Sequence, residues 1–527
     1  MVFVDIKITD SYWETLEVNK EDIEFIYAYL LEKETPLPSK KLSEALIVER
    51  LQKESEALKE KQRQNGEIYL PKLEFSIGDK IQFPALNWVS GNVGDIRTGN
   101  NPEYPQLKVM TVDLENGQQR QFASNLEEHS LNKDASITKD TVTDDLGAIL
   151  ENFGDEITHK LEKKLDENKD LVRIGEDWFP KSLLIDFNVG HLNLAEAVLD
   201  MNEGGPLPVD TLLEQIDIQS DDPEELVRFS LNYALQQDPR FDDVGASGNV
   251  EWFLNRLEPE NVREKPLQLK YEPLAYDRSL LTEDMLKVEQ RLDDELVEPV
   301  AAYLQKIPKK EVSLVLTYPH WRVGSIPLTP FTRPFFPTAL ESPRVKVTLI
   351  DAQGEQISAW VVRPFNYVYG LRKWYEELEL IPGSIIKIKQ GKKPGEVFIE
   401  AEKRRSNREY IRTLLIGADG GVVFAMLKQT ITADFNERMV IALPSTAVLD
   451  ELWEKRSNNP WAIKDVVINT MKELGKLNPQ GNVHAVELYA AVNCIRRCPP
   501  GVIFSMLTTD LVFTAVGDLY FHLSENS

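Results

Sequence analysis

Basic side chains are concentrated in one stretch of an otherwise acidic chain, and their type and spacing suggest contact with phosphate. Residues 308–412 contain 18 Lys and Arg against 11 Asp and Glu, whereas the 527-residue chain carries a net charge of −26. Attraction to phosphate is local, because salt screens it within about 8–10 Å. A locally basic segment therefore predicts nucleic-acid binding in spite of the acidic mean. Alternatively, 308–412 docks on acidic neighbours such as 136–270, which has 13 basic and 30 acidic residues.

Within this stretch the cations cluster around a Gly-Lys-Lys-Pro-Gly turn and in a run after the next predicted strand. Such a turn can approach a phosphate backbone, and arginine can bind a base edge through two hydrogen bonds. The aromatic residues in between would instead fill a core if the lysines only solvate an edge strand. The candidate DNA-contacting residues are Arg363, Arg372, Lys373, Lys387, Lys389, Lys392, Lys393, Lys403, Arg404, Arg405 and Arg408.

Motifs for catalysis or cofactor binding do not occur in the sequence. It contains no GxxxxGK[ST], HExxH, GxGxxG or nucleophile-elbow pattern, so we expect no enzyme activity and no cofactor. Cys494 and Cys498 are four residues apart, which would place them on one face of a helix. A zinc site would need two further ligands, and the six histidines are scattered. We expect two buried, inert cysteines and no bound metal.

The bulk sequence is that of a multi-domain protein without a membrane span. Its length exceeds the roughly 250 residues that one core supports. No run of about 18 uncharged apolar residues occurs. The start, MVFVDIKITD, has acids among its apolar residues and lacks the pattern of a secretory leader. We therefore expect no membrane contact and a cytoplasmic location.

One order of elements recurs along the chain and would position these residues. In 18–47 an apolar helical pattern is followed by Pro36-Leu37-Pro38 and by a second helix that begins near Ser39, a good N-cap. The same order, again with Pro-Leu-Pro, occupies 191–216 and continues into a third helix and a strand. The C-terminal segment 461–527 repeats it. Three short helices followed by a hairpin are typical of a winged helix, so the sequence predicts three such units.

The second unit carries a family resemblance. Its sequence AEAVLDMNEGGPLPVDTLLEQI, followed by DPRFDDVGASGNVEWFLNRLEP, resembles the HARE-HTH winged helix of the RNA polymerase delta subunit's amino-terminal domain. The shared features are the proline-marked second helix and the turn Asp238, Arg240, Phe241 that leads to a strand bearing Trp252. The resemblance implies a transcription, chromatin or restriction context and no activity. Acids in PVDTLLEQIDIQSDDPEE predict that this unit does not bind DNA by itself.

The segment between the first two units has two parts. Residues 75–124 alternate at a period of two between Gly and Asn turns, which predicts five short strands (79–83, 91–97, 107–113, 119–123 and one edge) in a small SH3-like barrel. Residues 133–170 are acidic and poor in aromatic residues. They predict a flexible linker that contains one helix.

The basic stretch itself has strand patterns and a second resemblance. Its sequence WVVRPFNYVYGLRKWYEELELIPGSIIKI resembles the plant-type pseudobarrel DNA-binding domain of auxin-response factors, which is shared with some restriction-enzyme effector domains. Pro382-Gly383-Ser384 replaces the Gly-Asp turn of that family. The resemblance implies binding to DNA. The predicted elements are a helix at 369–380 and strands at 312–318, 344–351, 357–363, 384–390 and 396–403.

The sequence thus predicts a multi-domain α+β protein made of winged-helix units, a small SH3-like β-barrel and a β-pseudobarrel. Its expected function is that of a non-enzymatic DNA-binding or transcription-associated regulator. The alternative is a protein-interaction scaffold in an RNA polymerase-associated or defence complex, without direct DNA contact. The predicted segments are a winged-helix-like unit at 1–70, the SH3-like barrel at 71–132, the acidic linker at 133–170, the HARE-HTH-like unit at 171–265, a helical connector at 266–307, the pseudobarrel at 308–412, a hairpin and helix connector at 413–460 and a winged-helix-like unit at 461–527.

Overall fold

The computed structural model has a mixed α+β fold with two compact units, 1–185 with 221–229 and 186–220 with 230–527. None of the described helices combines the length and the apolar character needed to cross a membrane. The structure describes residues 10–64, 67–86, 89–127, 129–132, 139–216, 218, 220–246, 248–298, 310–339, 342–391, 396–417, 420–457 and 459–524.

The first unit opens with helices separated by a two-residue strand. Asn19 and Asp22 form a capping box, since each side chain accepts a hydrogen bond from the other residue's backbone N–H. The helix that the sequence predicts to begin near Ser39 starts at that residue. These elements are α1 (Asp10–Glu14), α2 (Lys20–Lys33), β1 (Leu37–Pro38) and α3 (Ser39–Gln64).

A five-stranded sheet follows, with neighbours in sequence order. It curls on itself, because Tyr69 Oη donates a 2.7 Å hydrogen bond to Ala123 O, and the amide of Asn125 donates to Leu73 O. Phe83 and Phe122 stack inside, with ring centroids 4.2 Å apart. The strands are β2 (Glu67–Ile68), β3 (Lys80–Phe83), β4 (Val89–Thr98), β5 (Lys108–Leu114) and β6 (Gln119–Ser124).

The chain then returns to α2 and α3. The predicted flexible linker at 133–170 is instead largely a helix, whose Ile157, Leu161 and Leu165 are fully buried. Leu161 and Leu165 share a core with Leu30 of α2, so apolar burial holds this acidic segment in place. The following hairpin pairs with β1, in the order β1-β8-β7, and not with the predicted 171–265 unit. The elements are α4 (Lys139–Asp166), β7 (Leu171–Ile174) and β8 (Asp177–Pro180).

The second compact unit begins with the segment that carries the HARE-HTH resemblance. Its helices and hairpin enclose a core that includes Leu199, Leu212, Leu231 and Trp252. The sheet order is β9-β11-β10. The elements are α5 (Val189–Met201), β9 (Leu207–Pro208), α6 (Val209–Ile216), α7 (Glu224–Gln237), β10 (Phe241–Asp243) and β11 (Glu251–Leu254), and the connector that follows contains α8 (Glu260–Arg263) and α9 (Glu283–Leu292).

The basic stretch forms an open, curled seven-stranded sheet in the order β12-β17-β18-β14-β15-β16-β13, in which only β14 and β18 are parallel. The five predicted strands are present, and two short strands were not predicted. The predicted helix at 369–380 is shorter in the structure. The elements are β12 (Glu311–Val315), α10 (Tyr318–Val323), β13 (Ser325–Pro327), β14 (Arg344–Ile350), β15 (Gln356–Val362), β16 (Tyr367–Tyr369), α11 (Arg372–Glu377), β17 (Ile385–Gln390) and β18 (Glu396–Ala401).

A long two-stranded antiparallel hairpin, here called the ribbon, follows this sheet. It consists of β19 (Lys403–Ile416) and β20 (Val422–Ala433). The predicted pseudobarrel extended to residue 412, whereas the seven-stranded sheet ends at Ala401. The last basic residues of that stretch therefore belong to the ribbon.

The C-terminal segment completes the second compact unit with the sheet order β21-β23-β22. Cys494 and Cys498 are both buried and not disulfide-bonded, and burial raises the pKa of the Cys498 thiol to about 12. The elements are α12 (Ala447–Arg456), α13 (Ile463–Gly475), β21 (Val483–His484), α14 (Ala485–Ile495), α15 (Pro500–Thr509), β22 (Phe513–Gly517) and β23 (Tyr520–Leu523).

Three parts of the chain share one topology, and we call them helix–hairpin units. In each of them a two-residue strand lies beside the last strand of the hairpin, so the strand order is identical. The register is identical too. The first residue of the short strand faces a buried aromatic residue, in the pairs Leu37–Trp178, Leu207–Trp252 and Val483–Phe521.

Candidate nucleic-acid interface

Two of the predicted contact residues, Lys387 and Lys389, lie on β17, whose alternate residues Ile386 and Ile388 are buried in the core. The Lys389 ammonium lies 3.0 Å from Glu400 on β18 and 3.9 Å from Glu311 on β12. Lys387 is paired with Glu402, and this hydrogen bond raises the pKa of the lysine. Carboxylates of adjacent strands thus already compensate both charges.

Arg372 holds two helices together. Its guanidinium donates to Glu376 at 2.7 Å and to the carbonyl of Arg322 at 2.9 Å, and it lies 5.3 Å from the ring centroid of Trp321. Its neighbour Lys373 is 88% exposed and forms an i,i+4 ion pair with a glutamate. Arg372 therefore stabilises the junction of α10 and α11, whereas Lys373 remains accessible.

Arg363 is half-buried at the end of β15. It donates a hydrogen bond to Pro337 O. Burial, together with the nearby Arg333, lowers its pKa. This guanidinium connects two loops of the seven-stranded sheet.

The predicted Lys-Lys turn lies only partly within the described residues. Lys392 and Lys393 fall outside them. At the edge of the turn the amide of Gly391 donates to Glu396 O at 2.8 Å. A Cβ at residue 391 would lie 2.2 Å from that oxygen, so close backbone approach requires a glycine there.

The remaining candidates lie on β19 of the ribbon. Arg404 pairs with Glu409 at 3.3 Å and covers a phenylalanine ring. Lys403 and Arg408 are exposed, and neither forms an ion pair with any residue in the described part of the chain. Arg405 also belongs to β19, but its side chain is not among those that the structure describes. Among the predicted contact residues, Lys403 and Arg408 are thus exposed cations for which the described residues supply no ion pair.

The structure adds three residues that the sequence did not single out, Tyr410, Lys428 and Thr430. Tyr410 is 63% exposed on β19, and it lies opposite Lys428 of β20, whose ammonium is 5.3 Å from the tyrosine ring centroid. Arg408 lies opposite Thr430 in the same register. Because directly opposed residues of an antiparallel pair lie on one face, these four side chains form a common surface. We call Arg408, Tyr410, Lys428 and Thr430 the ribbon face.

The ribbon face ends where the hairpin joins the rest of the fold. The next residue on the same side, Arg412, is largely buried and donates a 2.9 Å hydrogen bond to Arg438 O. Its guanidinium also lies 3.5 Å from Glu487. Further toward the tip, Leu414 and Phe424 are buried in the core of the third helix–hairpin unit. The exposed cations of the ribbon face thus lie on the part of the hairpin that is farther from its tip.

A second constellation resembles catalytic machinery. Ser325 Oγ lies 2.9 Å from His320 Nδ1, and His320 Nε2 lies 3.1 Å from Glu295 Oε2. All three side chains are buried, and the glutamate also accepts a 2.8 Å hydrogen bond from Arg497. A nucleophile must meet its substrate, which Ser325 at 0% exposure cannot do in this arrangement. The group therefore compensates buried charge between the seven-stranded sheet and the third helix–hairpin unit.

Within the described residues, no group of three or more His, Cys, Asp or Glu is arranged to hold a metal ion. Comparison of the chain with protein-family models, with curated proteins and with solved structures gave no match to any of them.

Proposed function

We propose that this chain is a non-enzymatic DNA-binding regulatory protein that contacts DNA mainly through the ribbon at the end of its basic stretch. The observation that carries the proposal is a set of exposed cations, Lys403, Arg408 and Lys428, for which no described residue supplies a carboxylate partner. In a chain of net charge −26, such a local excess of positive charge would attract the phosphates of a nucleic acid.

The architecture supports a regulatory role. We assign the three helix–hairpin units as winged helices, because each has three helices and a hairpin in the same topology. We assign the five-stranded sheet as an SH3-like barrel and the seven-stranded sheet as a pseudobarrel. Such modules occur in proteins that bind nucleic acids or transcription complexes, although a fold alone does not specify a function.

The test compares two triple variants of the full chain. Lys403→Glu, Arg408→Glu and Lys428→Glu together reverse the ribbon cations. The control variant combines Lys20→Glu, Lys287→Glu and Lys455→Glu, whose side chains are 91%, 53% and 73% exposed. Both variants change the net charge equally.

We expect the chain to bind a labelled duplex in fluorescence anisotropy with an affinity that falls steeply between 50 and 200 mM salt, the range over which phosphate contacts weaken. The slope of log K against log salt should decrease by about 0.9 for each lost contact in the ribbon variant. The control should retain the slope. Equal binding by both variants, or no binding of the unmodified chain to either duplex or single-stranded DNA, would refute the proposal.

A specific observation also favours a protein-interaction scaffold. Lys387 and Lys389 are paired with carboxylates, and segment 136–270 has 30 acidic against 13 basic residues. An acidic surface repels phosphate but suits a basic protein partner, such as one in a polymerase-associated or defence complex. If the chain binds no DNA, this second function is preferred, and affinity capture with the intact chain would identify the partner.

A further inference from the structure

The ribbon face combines an exposed aromatic ring with cations. Tyr410 is a large side chain at 63% exposure, and Lys428 contacts its ring. Tyrosine in a folded core is usually covered, as Tyr375 and Tyr489 are here. An uncovered ring on a regular strand is available to stack on a ligand that has a π-face of its own.

Cations lie on two sides of this ring. Arg408 is two residues away on the same strand, hence about 7 Å along it at 3.4 Å per residue. Lys428 is directly opposite on β20. A nucleic-acid backbone that passes the Tyr410 ring therefore meets the charge of Arg408 along the strand and the charge of Lys428 across the hairpin.

Acidic side chains do not oppose such a ligand. Among the described ribbon residues the carboxylate is that of Glu409, which alternates to the opposite face and pairs with Arg404. Thr430 completes the face with a hydroxyl that can donate to a phosphate oxygen. The surface is thus both apolar and positive, and no described ribbon residue places a carboxylate on it.

We propose that the ribbon face binds single-stranded nucleic acid, with a base stacked on Tyr410 and the adjacent phosphates held by Arg408 and Lys428. The inference rests on the proposed function, which requires only that the ribbon cations contact DNA. Single strands are favoured because the bases of a duplex already stack on each other, whereas an unpaired base exposes its π-face. Stacking on aromatic side chains beside a basic groove is how many proteins hold single strands without sequence preference.

The experiment measures binding of the full chain to a fluorescein-labelled thymidine 30-mer and to a labelled 30-base-pair duplex. Tyr410→Ala should weaken binding of the single strand about tenfold, within the range reported for base–aromatic stacking. Tyr410→Phe should bind like the unmodified chain, because it keeps the ring. Tyr104→Ala, which removes a 39% exposed tyrosine elsewhere, is the matched control and should have no effect.

The charge contribution is tested separately. Arg408→Gln with Lys428→Gln should reduce the salt slope for the single strand by about 1.4, or 0.7 for each phosphate contact. Tyr410→Ala should leave that slope unchanged. Unaltered thermal unfolding of each variant verifies that the fold is intact.

Three outcomes separate the two proposals. If the single strand binds more tightly than the duplex and loses affinity in Tyr410→Ala but not in Tyr410→Phe or Tyr104→Ala, the inference holds. Tighter binding of the duplex, or an unaffected Tyr410→Ala variant, would overturn the inference while the proposed DNA-binding function stands. If neither probe binds, both proposals fall.

Discussion

A carboxylic acid buried where the second helix–hairpin unit meets the seven-stranded sheet is expected to titrate near neutral pH. Glu258 Oε2 accepts a 2.5 Å hydrogen bond from Arg344, which also lies 3.1 Å from Asp242. The pKa of Glu258 is raised from 4.5 to about 8, chiefly by burial, while Arg344 opposes the rise and the neighbouring Asp242 adds to it. At pH 7 the side chain therefore retains its proton.

This titration predicts a pH-dependent stability. Because the pKa of Glu258 is higher in the folded state, the protonated side chain stabilises the fold. This contribution to the free energy of unfolding is complete below pH about 4.5 and is lost as the pH rises through about 8. Glu258→Gln imitates the protonated acid. Between pH 6 and 8 it should reduce the decrease of the unfolding free energy with pH by up to about 1.4 kcal/mol per pH unit. Chemical unfolding at pH 6, 7 and 8 measures this dependence. The exposed Glu260→Gln is the control, and an identical slope in both variants would contradict the expectation.

The buried ion pairs of Arg497 predict a large loss of stability. Its guanidinium donates to Asp294 at 2.6 and 2.9 Å and to Glu295 at 2.8 Å. Arg497→Met would leave both carboxylates buried without the guanidinium that pairs with them, which costs about 3–5 kcal/mol. Thermal and urea unfolding should show this loss, while the exposed Lys455→Met stays within about 0.5 kcal/mol. A cost below about 1 kcal/mol for Arg497→Met would show that water or rearrangement compensates the acids.

At the same scale, the sequence reveals which residues are charged but not which partners they have. The basic cluster, including Lys387 and Lys389, is visible in the sequence. Whether those lysines are free depends on strand register, which brings Glu400 of β18 and Glu402, the residue after Ala401, beside them. Tyr410 had no visible partner in the sequence, because Lys428 reaches it only across the hairpin.

Each helix–hairpin unit is held by an aromatic residue of its last strand, and two of these residues are hydrogen-bonded tryptophans. Trp178 Nε1 donates to Ser39 Oγ at 2.9 Å, and Trp252 Nε1 donates to Asn232 Oδ1 at 2.8 Å. In the third unit Phe521 makes no such bond. The polar partner therefore differs among units although the register is the same.

The tryptophan bond of the second unit predicts an energetic coupling. Trp252→Phe should cost about 1–3 kcal/mol, because the buried Asn232 loses its donor. When Asn232→Val is already present, the same substitution should cost less, since no acceptor remains unsatisfied. A double-mutant cycle from urea unfolding measures the difference. Strictly additive costs would mean that the hydrogen bond makes no net contribution.

Element by element, local patterns predict this fold better than composition does. The Pro-Leu-Pro signal places the start of α3 correctly, and the period-two pattern locates the strands of both larger sheets. The acidic composition of 133–170 favoured a linker, although Ile157, Leu161 and Leu165 have helical spacing in the same segment. The pairing of β1 with β8 has no local signal at all, because the two strands are far apart in sequence.

Viewed as a whole, the first compact unit contains one fold inserted in another. The five-stranded sheet lies between α3 and α4, which pack together through Ser43 and Thr158, whose hydroxyls are 2.8 Å apart. The two helices run antiparallel, since Leu42 shares a core with Leu165 while Ile47 packs with Ile149 and Ile157. Both connections to the inserted sheet therefore leave from the same end of this helical pair.

This arrangement predicts that the inserted sheet can be removed. Replacement of residues 67–132 by a short Gly-Ser linker should preserve the helices of the first unit, because closing a shorter loop costs little entropy. Far-UV circular dichroism should retain the helical signal, and the first unit should still unfold cooperatively. Loss of helix beyond that of a full-chain control would show that the sheet supports α3 and α4 directly.

The insertion also sets the order in which the nascent chain can fold on the ribosome. Ser39 and its hydrogen-bond partner Trp178 are 139 residues apart, so translation at 5–20 residues per second separates their emergence by on the order of 10 s. During that interval the inserted sheet, whose contacts are local, can close first. Until α4 emerges, the apolar faces of α2 and α3, which include Leu30, Leu42 and Leu46, remain exposed to solvent. The half-built helical unit therefore presents apolar surface on which chaperones can bind, or from which aggregation can start, until α4 is synthesised.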